Sequence, residues 1–221
     1  MLYYFAVWLL FLTHQIANTY GYGGILAPGD ETLPMKSPFT KSLYALSKNQ
    51  AQQIIDKAAS QLNITTLSPT FMLGTYCSKL GSGSIIAMAL NKRFVFYPSG
   101  GKNFVHVCDV AKAIIKAFEL KQSGQKIIIA NENLSYKDFY SKMIFLNNQK
   151  SKLILIPNFL LQFIGFAGDF LRFLKIETNV SSVNTKILTI NNFYTNKKAK
   201  QELNIDFTPI NSIIIDSLIE F

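Results

Sequence analysis

The feature that most constrains the fold is a helical segment that leads directly into a short strand. Residues 44–62 carry alanine, glutamine, isoleucine and lysine at helical spacing. Residues 63–67 (Asn-Ile-Thr-Thr-Leu) are β-branched and run into Ser68-Pro69, which is typical of a strand that ends at a turn. Because a helix followed by a strand is the crossover unit of a parallel sheet, we predict an α/β fold.

The alternation of helices and strands continues to the end of the chain. Further strands are predicted at residues 94–97, 126–130 and 153–156. Further helices are predicted at residues 85–91, 110–120, 135–146, 157–175, 196–203 and 211–221. Asp109 suits the N-cap of the helix that follows it, and Ser135-x-x-Asp138 has the form of a capping box.

The predicted helix 157–175 is rich in phenylalanine. It also carries Asp169 and Arg172, and it contains Gly165 and Gly168, which permit close packing. We therefore expect its apolar face to lie in the core or at a domain interface and not to act as a membrane anchor.

Composition narrows the possible functions. The 221 residues are 49% hydrophobic and 13% aromatic, which suffices for a packed core. The net charge of +9 comes partly from short, scattered clusters, so we expect a basic surface that tolerates phosphate-bearing ligands and no nucleic-acid partner. Cys77 and Cys108 lack metal-ligand spacing, and we expect small buried residues with no metal site.

Residues 2–12 form an unbroken apolar run. It is shorter than the roughly 20 residues that span a bilayer. A buried strand of a parallel sheet has this pattern, and we favour that interpretation, with a cytoplasmic protein and no membrane partner. A signal peptide or anchor, and hence a secreted or tethered protein, stays open as the alternative.

Tyr44 and Lys48 form the candidate catalytic pair. They stand four residues apart at the start of the predicted helix, so both side chains lie on one face. A cation near a phenol favours its ionised form, and such a phenol can move a proton to or from a substrate oxygen. The same spacing also occurs on helices by chance.

Four segments in order resemble one family. They are Ala17–Gly21, Pro38 with Tyr44–Lys48, Leu67–Gly74 (Ser-Pro-Thr within it), and Phe104–Ala111 (Phe-Val-His-Val-Cys-Asp-Val-Ala). In this order and spacing they resemble the extended short-chain dehydrogenase/reductases, also called the NAD-dependent epimerase/dehydratase family. Ser68 stands where that family has arginine.

The resemblance implies a Rossmann-type parallel sheet that binds NAD or NADP, and hydride transfer on a sugar nucleotide or a related hydroxyl or carbonyl substrate. Tyr44 would be the general acid/base. Lys48 would hold the nicotinamide ribose and favour the ionised phenol. Pro69 and Thr70 would border the nicotinamide end of the cofactor.

The resemblance also implies a division of the chain. Residues 1–74, with the Tyr-x-x-x-Lys helix, would form a partial Rossmann-type domain to which residues 102–131 return. Residues 75–101 and 132–221 would form a small, mostly helical substrate domain.

Two departures from the family pattern bear on activity. The chain contains no GxGxxG or GxxGxxG turn for the cofactor pyrophosphate, so we expect an N-terminally truncated member that lacks the first βαβ unit and has impaired activity. The family's catalytic Ser or Thr would fall at position 15 or 16, where the chain has Gln15 and Ile16.

The alternative to an enzyme of this family is a non-catalytic remnant or interaction module, which would form a homo-oligomer or pair with a separately encoded N-terminal half.

Overall fold

The computed structural model describes residues 13–14, 16–59, 61–75, 81–120, 124–219 and 221. The strand predicted within residues 2–12, and the predictions for Gln15 and Cys77, lie outside the described residues.

The described chain alternates short strands with helices. The strands are β1 Thr13–His14, β2 Thr66–Pro69, β3 Phe71–Leu73, β4 Phe94–Tyr97, β5 Gly101–His106, β6 Lys126–Ile129, β7 Glu132–Ser135, β8 Lys152–Leu155 and β9 Asn191–Asn192. The helices are α1 Leu43–Ala58, α2 Ser84–Ala87, α3 Val107–Phe118, α4 Tyr136–Leu146, α5 Asn158–Phe173, α6 Ser182–Ile187, α7 Lys197–Leu203 and α8 Ile210–Leu218.

A parallel sheet forms the first layer. Its strand order is β1-β2-β6, and Leu67 lies opposite Ile127 in the central pairing. Leu67, Ile127 and Ile129 pack with Val105, Val110 and Ala113 in one hydrophobic cluster. The predicted α/β class with a parallel sheet is confirmed.

A second sheet begins directly after β2, at the start of β3. Thr70 separates β2 from β3, and its N–H donates to the Ile129 carbonyl oxygen at 3.1 Å. After it, β3 pairs in parallel with β5, and β5 also pairs with β7 and β9. The chain therefore passes from one sheet to the next at Thr70.

A second hydrophobic cluster joins this sheet to the C-terminal helices. Phe104 of β5 is fully buried and stacks on Phe139 of α4, with 4.5 Å between ring centroids. Ile213 and Ile214 of α8 close the same cluster. The division of the chain into a partial Rossmann-type domain and a substrate domain stays a prediction.

The starts of α4 and α3 test the two N-caps that were predicted from the sequence. Ser135 caps α4 as predicted, since its Oγ accepts from the Asp138 N–H at 3.0 Å. The predicted N-cap at Asp109 is wrong, because α3 begins three residues before the expected start and His106 caps it through Nδ1. The Asp109 carboxylate instead accepts from the Thr208 N–H at 2.6 Å. Asp109 therefore joins α3 to the segment before α8.

The boundaries of two elements and the exposure of several side chains also differ from the expectations. The helix predicted at 85–91 is a single turn, and the strand predicted at 63–67 runs from Thr66 through Pro69. Cys108 is exposed in the first turn of α3, so the expectation of a buried residue is wrong. The expectation that the phenylalanine-rich face of α5 lies in the core or at a domain interface is also wrong for the described chain, because these side chains are exposed.

Candidate active site

A cavity of about 430 Å³ opens at the point where the chain changes sheets. Pro69, Thr70, Phe71 and Met72 line it, and they span the end of β2 and the start of β3. The cavity thus lies at the carboxyl end of a parallel strand. This is the usual place for a ligand in an open α/β sheet.

Tyr44 borders this cavity from the second position of α1. Ser42 caps the helix, because its Oγ accepts from the Ala45 N–H at 3.4 Å. The cap sets where the helix begins, and so fixes the position of Tyr44. Tyr44 is 60% exposed, so its phenol is accessible to a bound ligand.

Lys48 lies one turn after Tyr44 and is partly buried. It is not among the described residues that line the cavity. The structure therefore places Tyr44 at the cavity and Lys48 one helical turn further along α1.

Thr70 has two internal contacts at the cavity edge. Its hydroxyl donates to Asn103 Oδ1 at 2.7 Å, and the Ile129 carbonyl oxygen lies 3.4 Å away. Since the hydroxyl hydrogen is used for these contacts, Thr70 is suited to accept a hydrogen bond from a ligand.

Position 16, one of the two at which the family's hydroxyl would fall, is apolar in this chain. Ile16 lines the cavity, and its side chain cannot donate a hydrogen bond. Asn18, two residues later, also lines the cavity. Its Oδ1 accepts from Asn192 Nδ2 at 2.8 Å and from the Tyr194 hydroxyl at 3.4 Å, so the Nδ2 group is the donor that Asn18 can present to a ligand.

Asn192 adds an acceptor to the cavity wall. Its Oδ1 is buried and has no hydrogen-bond partner within the described part of the chain. Buried polar atoms without a partner are uncommon, and this oxygen would accept from a ligand hydroxyl once the groups that cover it move.

Lys102 is a cavity residue that sequence reasoning missed. It lies on β5, and its Nζ stands 4.3 Å from the centre of the Phe71 ring. Lys102 as a whole is partly exposed and lines the cavity, and burial of its ammonium lowers the pKa of Lys102 to about 8. The available signal was a lone lysine two residues before the Phe104-Val-His-Val segment.

The charge of the cavity is positive. Among its described lining residues, Lys102 is the charged group and there is no carboxylate. Because the surrounding protein lowers the local dielectric, a positive charge in a cavity attracts an anionic ligand more strongly than one on an open surface.

The cavity floor is held by an amide network. Asn103 Nδ2 donates to Asn133 Oδ1 at 2.7 Å, and Asn133 Nδ2 donates to the Tyr194 carbonyl oxygen at 3.0 Å. Tyr194 N–H returns a bond to Asn133 Oδ1 at 3.1 Å. These bonds link β5, β7 and the residues after β9.

The sequence profile of the NAD dependent epimerase/dehydratase family matches residues 11–131, more than half of the chain. The chain belongs to this family. The match contains Tyr44, Lys48, Pro69, Thr70 and Lys102. No curated protein matches the chain significantly.

Solved structures show the same fold. The protein gox2253 superposes with a TM-score of 0.76 at 23% identity, over 94% of this chain and 64% of gox2253. A nucleoside-diphosphate-sugar epimerase from Pseudomonas aeruginosa gives 0.70 at 19% identity, over 94% and 65%. The UDP-glucuronic acid 4-epimerase from Bacillus cereus, in complex with UDP-glucuronic acid and NAD, gives 0.66 at 13% identity, over 93% and 59%. The chain thus spans less than two thirds of these proteins.

Among the residues expected from the epimerase/dehydratase pattern, the structure brings Tyr44, Pro69 and Thr70 to one cavity. Their catalytic and cofactor-binding roles stay predictions. The structure adds Lys102, Asn18 and Asn192 to the same cavity.

Proposed function

We propose that the chain carries the proton-transfer and substrate-binding part of an NAD(P)-dependent epimerase, dehydratase or reductase. Its substrate would be a sugar nucleotide or a related hydroxyl or carbonyl compound with an anionic end. The observation that supports this most strongly is that Tyr44 and Lys102 line one cavity at the carboxyl end of β2.

Tyr44 would exchange a proton with the reacting oxygen of the substrate. When the substrate is oxidised, the phenolate oxygen takes the hydroxyl proton as the carbonyl forms; in the reverse direction the phenol donates it. Lys48, one helical turn away on α1, would favour the ionised form of the Tyr44 phenol.

The cavity residues would hold the substrate by its polar groups. Asn18 Nδ2 would donate to the reacting oxygen, in place of the hydroxyl that Ile16 cannot supply. Asn192 Oδ1 would accept from a neighbouring substrate hydroxyl. Lys102 would pair with a phosphate or carboxylate, since its ammonium is the charge that the described cavity residues provide.

The cavity residues offer the kind of polar groups that the nicotinamide-ribose end of the cofactor would need. Hydroxyls and a carboxamide need hydrogen-bond partners, and Thr70 offers an accepting oxygen beside the flat surface of Pro69. The cofactor would supply a hydride acceptor or donor next to the substrate carbon. The chain has no glycine-rich turn for the pyrophosphate, so we expect weak cofactor binding and slow turnover.

Ligand binding tests this function. UDP is titrated by calorimetry at pH 7, and NADH and NADPH are titrated by fluorescence. Replacing Lys102 by Gln should weaken UDP binding by about 10-fold to 100-fold, the value of a charged hydrogen bond. The matched control is Lys137→Gln, an exposed lysine of α4, which should leave UDP binding unchanged.

Because a neutral amine binds anions poorly, UDP binding to the wild type should also weaken as the pH rises through about 8. Equal UDP affinity in the Lys102→Gln and wild-type proteins would contradict the substrate assignment. Tight NADH binding would show that the missing glycine-rich turn is not needed.

A second candidate is a non-catalytic module, and the apolar wall at Ile16 favours it. Such a module would bind the ligand without turning it over. Co-expression with a separately encoded N-terminal half, followed by size-exclusion chromatography, distinguishes a complementing pair from a lone chain.

A further inference from the structure

Helix α5 exposes an unusual amount of apolar surface. Five phenylalanines follow one another at spacings of four and three, which places them on a single face of the helix. We call this face the phenylalanine stripe; it consists of Phe159, Phe163, Phe166, Phe170 and Phe173. Each of these side chains is between 61% and 81% exposed.

The opposite face of α5 is the one that packs on the protein. Leu161, Gly165 and Gly168 are its buried residues, and the two glycines lie directly against α6 and the segment before it. A side chain at either glycine would collide with Thr185 or Val180. Since close packing fixes the helix by this face, the phenylalanine stripe points away from the protein.

Two cations lie beside the middle of the stripe. Lys41 and Lys186 line the same surface depression as Phe166, with no carboxylate among its described lining residues. Arg172 lies on a different side of α5 from the stripe and donates to the Thr178 carbonyl oxygen at 2.9 Å, and with Lys175 and Glu177 it lines a separate depression where α5 ends. The nearest acids are Asp169, whose carboxylate faces the Ser182 N–H of α6, and Glu177, which follows the helix end.

We propose that the phenylalanine stripe docks on an anionic lipid surface, with α5 lying in the plane of the interface. Phenylalanine on one face and lysine or arginine beside it is the composition of helices that bind membranes in this way. Among the described residues, no helix is long and apolar enough to cross a membrane, so α5 would lie on the lipid and not span it.

A second copy of the chain fits this surface less well. A symmetric pair would bring Lys41 and Lys186 of both copies to one interface, the depression that they line holds no carboxylate among its described residues, and like charges at an interface oppose association. Anionic headgroups neutralise these cations instead. This proposal replaces the expectation of no membrane partner that was drawn from the sequence.

Vesicle sedimentation with the full chain tests the proposal. The protein is mixed with vesicles of phosphatidylcholine alone, or of phosphatidylcholine with phosphatidylglycerol. The wild type should bind the anionic vesicles. Its binding should fall as salt is raised from about 50 to about 500 mM, and this salt test uses the wild-type protein alone. The Phe163→Ser, Phe170→Ser double variant should bind at least about 30-fold more weakly, given the apolar area removed.

Matched controls separate the stripe from general stickiness. Phe145→Ser removes a phenylalanine of α4 that is 80% exposed, and should leave vesicle binding unchanged. Lys41→Gln with Lys186→Gln should reduce the preference for anionic vesicles, whereas Lys197→Gln with Lys200→Gln on α7 should not. Circular dichroism checks that each variant is folded.

Three results would overturn the proposal. Equal binding to neutral and anionic vesicles would remove the role of the cations. Unchanged binding of the double serine variant would assign it to another segment, such as the apolar residues 2–12. A wild type that ignores vesicles but forms a dimer, which the double variant converts to a monomer, would assign the stripe to a second copy.

Discussion

Replacing Lys102 by methionine should make the protein more stable at neutral pH and change how its stability depends on pH. Burial lowers the pKa of this lysine from 10.5 to about 8, so the folded state holds the proton less tightly than the unfolded chain. The charged form is therefore the costly one. At about 1.4 kcal/mol for each pKa unit, the full cost below pH 8 is about 3 kcal/mol.

The sign follows from the direction of this shift. As the pH rises from about 8 towards 10.5, the unfolded chain keeps a proton that the folded protein has lost, so the wild type gains stability. Methionine keeps a long apolar side chain beside the Phe71 ring and has no proton to lose. The variant should exceed the wild type by up to about 3 kcal/mol at pH 7, and the difference should shrink by pH 9.5.

Urea unfolding of both proteins at pH 7, 8 and 9.5 measures this difference. The scan stops below pH 10 because burial also raises the pKa of Tyr140 to about 12, and raises the pKa values of Tyr20, Tyr136 and Tyr194 further. In that range the unfolded chain would gain from phenol ionisation and both proteins would lose stability. A difference that stays constant between pH 7 and pH 9.5 would refute the buried-ammonium argument.

Two further predictions concern the packing that supports the site. Phe104→Ala should cost about 3–5 kcal/mol, because the ring is fully buried and stacks on Phe139, whereas Phe118→Ala on the exposed side of α3 should cost far less. Asp109→Ala should cost about 3 kcal/mol, because the Thr208 N–H and hydroxyl lose their acceptor, and Asp206→Ala at an exposed position is the control. Urea midpoints of the four variants check both, and costs equal to those of the controls would contradict them.

Local patterns predicted the parts of the fold that depend on neighbours in sequence. The Ser135 cap, the β4 strand and the Tyr44 helix follow from residues a few positions apart. Asp109 was misassigned because its partner Thr208 is 99 residues away, a contact that no local pattern contains. The sequence predicted a phenylalanine-rich helix at α5 but could not tell which of its faces packs on the protein.

The candidate site divides in the same way. Tyr44, Pro69 and Thr70 belong to motifs that are short in sequence, and the structure brings them to one cavity. Lys102 and Asn192 come from β5 and β9, and they reach that cavity only because these strands pair with each other. Their place depends on tertiary pairing, which the spacing of residues does not reveal.

The most direct test of the central claim is turnover at Tyr44. UDP-sugars and dTDP-sugars are incubated with the full chain and saturating NAD or NADP, and reduction of the cofactor and conversion of the sugar are followed. We predict slow turnover that Tyr44→Phe lowers by at least about 100-fold, as loss of a general acid/base does, while Tyr97→Phe on β4 leaves it unchanged. Turnover that survives Tyr44→Phe, or no turnover with any of these substrates, would contradict the claim.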